Sequence, residues 1–351
     1  MKLQLNGHKL FYHLDELDKW NKGEDFYPIY VELSPTAACN HRCIHCYIRH
    51  LGFKAVFLER KIMLNLVREL GKIGVKALCI AGTGEPFLHK ATPEVIEEAK
   101  RNGLDVACAT NGILFNHEIA RRVLKNLTWI RFSVLGGSKE TYKKLQGAKE
   151  GDWDKFLRNL RDCVSIKNRY SLNVTLGVVF FVFKDNGHEI VKMAKLIKEI
   201  GLDYFVVKPV GDYKRNNYTA DRNLKELFSN ELKKAEGLDS KDFKVQVRWD
   251  MFEEWGKKPY RKCLSLPFMA VIDADGGVYA CGGYWQDKRF IYGELHKKSF
   301  KEIWDSQRRK MVMKHMENNM NFEECYNCCR NHTINNFLWQ LSQVPSHVNF
   351  I

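Results

Sequence analysis

The sequence predicts an α/β protein: an incomplete (β/α)6 barrel followed by a small domain built on a β-hairpin and a helix. Three observations lead there. Between Pro28 and Pro209, short β-branched or aromatic runs alternate with longer amphipathic ones, the pattern of βα units with parallel strands. Gly74, Gly103 and Gly201 stand where amphipathic runs end, as glycines that close helices do. After Pro209 the alternation stops, and Ala274-Asp275-Gly276-Gly277 between two apolar runs signals a hairpin.

Six strands are expected in order, at 29–33, 75–81, 104–110, 128–135, 173–183 and 203–209. Between them, 61–73, 93–102, 117–125, 152–167 and 189–200 repeat apolar residues at i, i+3 and i+4, which gives helices with one buried face. A polar stretch at 211–217 leads to a helix-like 224–234 and a strand-like 243–249. The hairpin strands fall at 268–273 and 278–281, and Ser299-Phe300-Lys301-Glu302 opens a helix with its own cap. The expected division is an N-terminal extension, 1–28, a barrel, 29–236, a linker, 237–259, and a second domain with a C-terminal helix, 260–351.

With 45% hydrophobic and 28% charged residues, the 351-residue chain is folded rather than disordered or fibrous. Its apolar runs are far shorter than the ~20 residues that cross a bilayer, and the N-terminus has no secretory apolar core, so a cytoplasmic location is expected. Eleven cysteines, an odd number, are too sparse for a disulfide scaffold, so short cysteine spacings read as metal ligands or catalytic groups. Cys79, Cys108 and Cys163 lie within strands or a helix and read as small buried hydrophobes. The formal charge of +14 favours anionic partners; the basic runs at 257–258, 297–298 and 308–310 read as solvated faces, and nucleic acid is not expected.

Cys39-x3-Cys43-x2-Cys46 directly follows the first strand, on the loop side where parallel barrels carry their chemistry. Three soft thiolates suit a [4Fe–4S] cluster with one iron left open, whereas a zinc site usually takes four protein ligands. This motif after a first barrel strand resembles the signature of the radical S-adenosylmethionine enzymes, over about residues 30–210. The resemblance implies a partial TIM-type barrel and S-adenosylmethionine on the open iron, cleaved to a 5′-deoxyadenosyl radical, with a reducing partner such as flavodoxin or ferredoxin. His45 stands where that family usually has an aromatic residue near the adenine, and an imidazole can still stack.

Other loops at the same face fit the resemblance. Gly82-Thr83-Gly84-Glu85-Pro86 after the second strand is similar to the family's methionine-binding loop, its glycines expected to let carbonyls approach the ligand ammonium beside the Glu85 carboxylate. Asn111 and Ser133 resemble positions that meet the cofactor's ribose or carboxylate, and Lys208 ends the sixth strand where the family contacts adenine through backbone.

Cys263-x12-Gly276-x4-Cys281 followed by Cys325-x2-Cys328 supplies four sulfurs, enough for a second cluster or for a zinc ion. It looks like the twitch form of the SPASM auxiliary domain, over about 260–335, and implies one auxiliary [4Fe–4S] cluster. Cys329 is read as an exchanging ligand or a free thiol able to donate a hydrogen atom, and Arg248 as a substrate contact or base. The expected substrate is small, polar and probably anionic, carbohydrate-like or nucleotide-linked, oxidised or epimerised at one carbon. Fewer than 30 residues precede the first strand, which disfavours a peptide precursor. The alternatives are a peptide or protein maturase and a non-catalytic iron–sulfur protein that binds nucleic acid.

Overall fold

Ten strands form one sheet in the computed structural model, which describes residues 8–46, 48, 51–52, 54–212 and 218–350. They are β1 (Tyr30–Leu33), β2 (Ala77–Ile80), β3 (Asp105–Thr110), β4 (Trp129–Val134), β5 (Thr175–Val182), β6 (Tyr204–Pro209), β7 (Lys244–Val247), β8 (Met269–Ile272), β9 (Gly277–Tyr279) and β10 (Ile291–Glu294). The order across the sheet is β10-β9-β8-β1-β2-β3-β4-β5-β6-β7. From β8 to β7 every pair is parallel, and only the β8-β9-β10 meander is antiparallel. The sheet does not close, because β7 and β10 are its two edges.

The period-two alternation of the strands sorts their side chains. Val31, Leu33, Leu78, Ile80, Ile130, Phe132, Val178, Phe180, Phe205 and Val207 point outward into the main core. There they meet the apolar faces of the helices Arg60–Lys72, Thr92–Arg101, His117–Val123, Asp152–Arg169 and Ile190–Ile200. The alternate residues, Glu32, Arg131, Ser133 and Lys208 among them, line the concave inner face. A sheet covered by helices outside and left open inside places its polar chemistry on that face.

Three expectations change. The stretch 237–259, expected as a linker, carries β7, which pairs with β6 from Tyr204↔Lys244 to Val207↔Val247, and the short helix Trp249–Glu253. Six parallel strands thereby become eight. The expected second domain is continuous with the first, because its hairpin strand β8 lies parallel to β1 over four residue pairs, Tyr30↔Met269 to Leu33↔Ile272. Met269-Ala270-Val271-Ile272 is buried on both faces, as a central parallel strand is. A helix at Lys139–Gln146, unanticipated after the fourth strand, is opened by Ser138, whose side chain accepts from Thr141 N. Residues 213–217 of the expected polar stretch lie outside the described residues.

Candidate functional site

The first cysteine loop hangs from the end of β1 and is tied down on two sides. Thr36 Oγ1 donates to the Val56 carbonyl at 2.7 Å and accepts from Ala38 N at 3.0 Å. On the other side Arg42 N and Ile44 N donate to the carbonyls of Gln146 and Leu145 at 3.1 and 3.0 Å, docking the loop on the helix Lys139–Gln146. His41 is the buried peg of this arrangement. Gln146 Nε2 lies 3.1 Å from its Nδ1, which makes Nδ1 the acceptor and leaves Nε2 to donate to Asp152 Oδ2 at 3.3 Å. Neither His41 nor Gln146 was singled out by the sequence, although the cap at Ser138 could have revealed the helix that carries Gln146.

Cys39, Cys43 and Cys46 are half-buried on this loop. Burial pushes the Cys39 thiol up to about 11 and the Cys43 thiol well above its ordinary value, and Cys46 adds to both shifts. Buried thiols that oppose one another's ionisation are poorly placed alone and well placed around a cationic cluster that takes their charge. Among the described residues no three Cys, His, Asp or Glu groups converge closely enough to share one metal ion. A four-iron cluster binds its ligands at separate corners, and the donor set fits one with an open iron.

The neighbouring loop clamps the first. A Cβ at Gly82 would lie 2.6 Å from Ser34 Cβ, and one at Gly84 would collide with the carbonyls of Thr36 and Ala38. These two glycines admit the chain that runs from β1 into the cysteine loop, at Ser34, Thr36 and Ala38. Glu85 is likewise occupied by the chain: it accepts from Thr110 Oγ1 at 2.7 Å, Asn111 N at 2.8 Å and Phe87 N at 3.2 Å. Burial raises its pKa against these hydrogen bonds. Thr83 Oγ1 donates to Asp273 Oδ1 at 2.6 Å, tying this loop to the end of β8, and Pro86 starts a short 3-10 turn. Asn111 Nδ2 donates to Asn40 Oδ1 at 2.7 Å, beside Cys39. Ser133 sits on the inner face of β4, where its carbonyl accepts from Gln146 Nε2 at 3.3 Å. His45 lies between Phe181 and Phe183, with ring centroids 4.9 and 5.4 Å away. Its Nδ1 is buried without a hydrogen-bond partner, as fits a polar ligand docking there, and burial lowers its pKa to about 3.

Positive charge collects on the concave face. Lys208 extends over the Phe181 ring at 4.8 Å, and burial, followed by Arg131, Arg248 and Arg330, brings its pKa down to about 7. Arg131 has its Nε buried without a hydrogen-bond partner. Neither cation has a carboxylate partner among the described residues. Arg248 is held by Asp250 through two hydrogen bonds of 2.9 and 2.7 Å, which fix the direction of its guanidinium. Arg330 is paired with the buried Glu32 of β1 and stacks on Tyr30 at 5.3 Å.

The second group of thiols surrounds the hairpin end. Cys281 Sγ accepts from Gly283 N at 3.4 Å, Cys325 Sγ lies 3.8 Å from Tyr284 Oη, and Cys263 Sγ lies 3.8 Å from Asn335 Nδ2. Burial raises the Cys263 thiol, and Cys281, Cys329 and Cys325 raise it further. Cys328, expected as the fourth member, is not among them: it packs over Gly211 beyond β6, among the charges of Lys208, Asp212, Arg248 and Asp250. Cys329, read as an exchanging ligand or a free thiol, takes the place beside the other three. The sequence spacing favoured Cys328, and the turn at 328–330 reverses the two. Cys79, Cys108 and Cys163 are buried as expected.

Comparisons with known proteins agree with this architecture. Residues 33–207 match the Radical SAM superfamily, and residues 263–329 match SPASM, an iron–sulfur cluster-binding domain. A Fe-coproporphyrin III synthase of Methanosarcina barkeri is 25% identical over 77% of this chain and 71% of its own length. A tungsten-containing aldehyde ferredoxin oxidoreductase cofactor-modifying protein of Pyrococcus furiosus is 23% identical over 80% of this chain and 81% of its own. In fold, SuiB of Streptococcus suis bound to S-adenosylmethionine superposes with a TM-score of 0.65 at 12% identity, over 86% of this chain and 71% of that one. Native anSMEcpe with bound AdoMet gives 0.60 at 18% identity, over 88% of both chains. With three thiols on the loop after β1, four more at the hairpin end and both domain models matched in that order, the chain belongs to the radical SAM superfamily and carries a SPASM iron–sulfur domain.

Proposed function

We propose that the chain oxidises, at one carbon, a small non-peptide substrate bearing negative charge, bound on the concave face between the two thiol groups. The observation that carries this reading is that Arg131 and Lys208 stand on that face with no carboxylate partner among the described residues, with the paired Arg248 and Arg330 beside them. Bound there, S-adenosylmethionine and a [4Fe–4S] cluster would supply radical abstraction of a hydrogen atom, and an auxiliary cluster would offer an acceptor for the second electron of an oxidation. The chain's own part is placement. Cys39, Cys43 and Cys46 would hold the first cluster, His45 between Phe181 and Phe183 would offer a surface for adenine, and Glu85 and Asn111 hold the loops around them. Lys208 and Arg131 orient substrate oxygens by charge-assisted hydrogen bonds. Curated relatives spanning most of the chain, named Fe-coproporphyrin III synthase and AdoMet-dependent heme synthase, support a non-peptide substrate.

Epimerisation is the second reading, favoured by Cys328, whose thiol lies beside Lys208 on the same face. A small reducing partner of the flavodoxin or ferredoxin class and a cytoplasmic setting belong to this proposal; among the described residues no helix is long and apolar enough to cross a membrane. The test is an anaerobic screen of the reconstituted, reduced protein with S-adenosylmethionine against deuterated metabolite fractions separated by charge. Deuterium should enter 5′-deoxyadenosine only with anionic, non-peptide fractions. Transfer from a peptide fraction instead would overturn the substrate assignment.

A further inference from the structure

The adjacent cysteines 328 and 329 serve two different sites. We infer that Cys329, with Cys263, Cys281 and Cys325, completes the protein ligands of the auxiliary cluster, and that Cys328 turns its thiol onto the substrate face. The inference requires the auxiliary cluster and holds whatever the substrate is.

The segment 326–330 is locked against the rotation that would exchange the two side chains. Asn327 Nδ2 donates to Asp212 Oδ2 at 3.1 Å, and Tyr326 Oη accepts from Gly211 N at 3.0 Å, which fixes one end to the chain leaving β6. Arg330 fixes the other end by its pair with Glu32 on β1. Between these anchors Cys328 faces β6, and a Cβ at Gly211 would lie 2.9 Å from its sulfur. Gly211 therefore makes room for this thiol.

Cys329 is held by the helix that follows. Its carbonyl accepts from His332 N at 3.1 Å, opening the helix His332–Ser342. One turn further, Asn335 lies against Cys263 Sγ and accepts from Leu264 N and Ser265 N at 2.7 and 2.9 Å. Tyr260 feels Cys329, Cys263 and Cys325 together, whereas the charges around Cys328 come from the ends of β6 and β7. One helix start thus places Cys329 and Cys263 on the same side, with Cys325 and Cys281 joined to them through Tyr284.

The experiment uses the full chain carrying Cys39, Cys43 and Cys46 all replaced by Ala, so that only the auxiliary cluster is counted. This background should hold about four irons per chain. Adding Cys328→Ala should leave the iron content and the electron paramagnetic resonance spectrum of the reduced cluster unchanged. Adding Cys329→Ala should lower the iron or convert the spectrum to that of a three-iron cluster. Loss of iron with Cys328→Ala, or a four-iron cluster that survives Cys329→Ala, would overturn the inference. Should Cys329→Ala not fold, Cys329→Ser provides the same reading: an oxygen ligand must shift the spectrum, Cys328→Ser must not, and any other pattern refutes the assignment.

Discussion

Replacing Lys208 by methionine should make the cluster-free chain more stable at neutral pH. Its amine is brought from the ordinary 10.5 to about 7 by burial and then by Arg131, Arg248 and Arg330. Between about pH 7 and 10.5 the unfolded chain therefore binds more protons than the folded one, and stability rises with pH through that window. Below pH 7 the lysine's penalty is present in full; near pH 10.5 it is gone. At about 1.4 kcal/mol per tenfold in proton concentration, the penalty is roughly 4 kcal/mol at pH 7 and roughly 2 kcal/mol at pH 9. Lys208→Met removes the charge and forfeits the contact with Phe181, about 0.5–2 kcal/mol. A net gain of about 2–4 kcal/mol at pH 7 follows, smaller by roughly 2 kcal/mol at pH 9. Urea unfolding under anaerobic conditions at both pH values measures it, through a shift in midpoint at constant slope. A variant less stable than the parent at pH 7, or a gain equal at both pH values, would refute the reasoning.

Replacing Cys39, Cys43 and Cys46 together by Ala should halve the iron of the reconstituted protein, from about eight to about four per chain, and abolish conversion of S-adenosylmethionine to 5′-deoxyadenosine; retention of either would sink the assignment of the loop. Gly84→Ala drives a methyl group into the Thr36 and Ala38 carbonyls, so binding of S-adenosylmethionine should be lost together with the first cluster, as followed by equilibrium dialysis and iron analysis. His41→Ala leaves Gln146 and Asp152 without their buried partner, a loss of about 1–3 kcal/mol, and should lower iron occupancy at the first site while sparing the auxiliary one. Arg330→Ala strands the buried Glu32 carboxylate at a cost of about 1–3 kcal/mol in urea unfolding, and Glu32→Gln in the same chain should restore most of it.

The expected strands and helices of the barrel lie within one or two residues of their observed ends from β1 to β6, because each unit carried its own alternation and three of the five helices run into a glycine. Partners far apart in sequence were not legible. Nothing in Met269–Ile272 announces that it lies against Tyr30–Leu33, and nothing in the strand-like run at 243–249 announces that it extends the sheet beside β6. In the site, the two cysteine motifs were visible as spacings. The partners of Glu85, Gly84 and Arg248 were not, because each depends on which group stands opposite in the fold. Cys328 and Cys329 mark the limit most clearly: adjacent residues of one type are distinguished only by the direction of the chain between Asn327 and Arg330.

The pairing of β8 with β1 also bears on how the protein is made. Its two strands are about 240 residues apart in the chain, so one edge of β1 stays unpaired while everything between is synthesised. At ordinary translation rates that interval is roughly 10–50 s. An apolar strand edge open for so long is a template for pairing with another nascent chain. Maturation is therefore exposed to aggregation until Ile272 has left the ribosome, and slower elongation over the second half of the message should lower the soluble yield more than slower elongation over the first few residues.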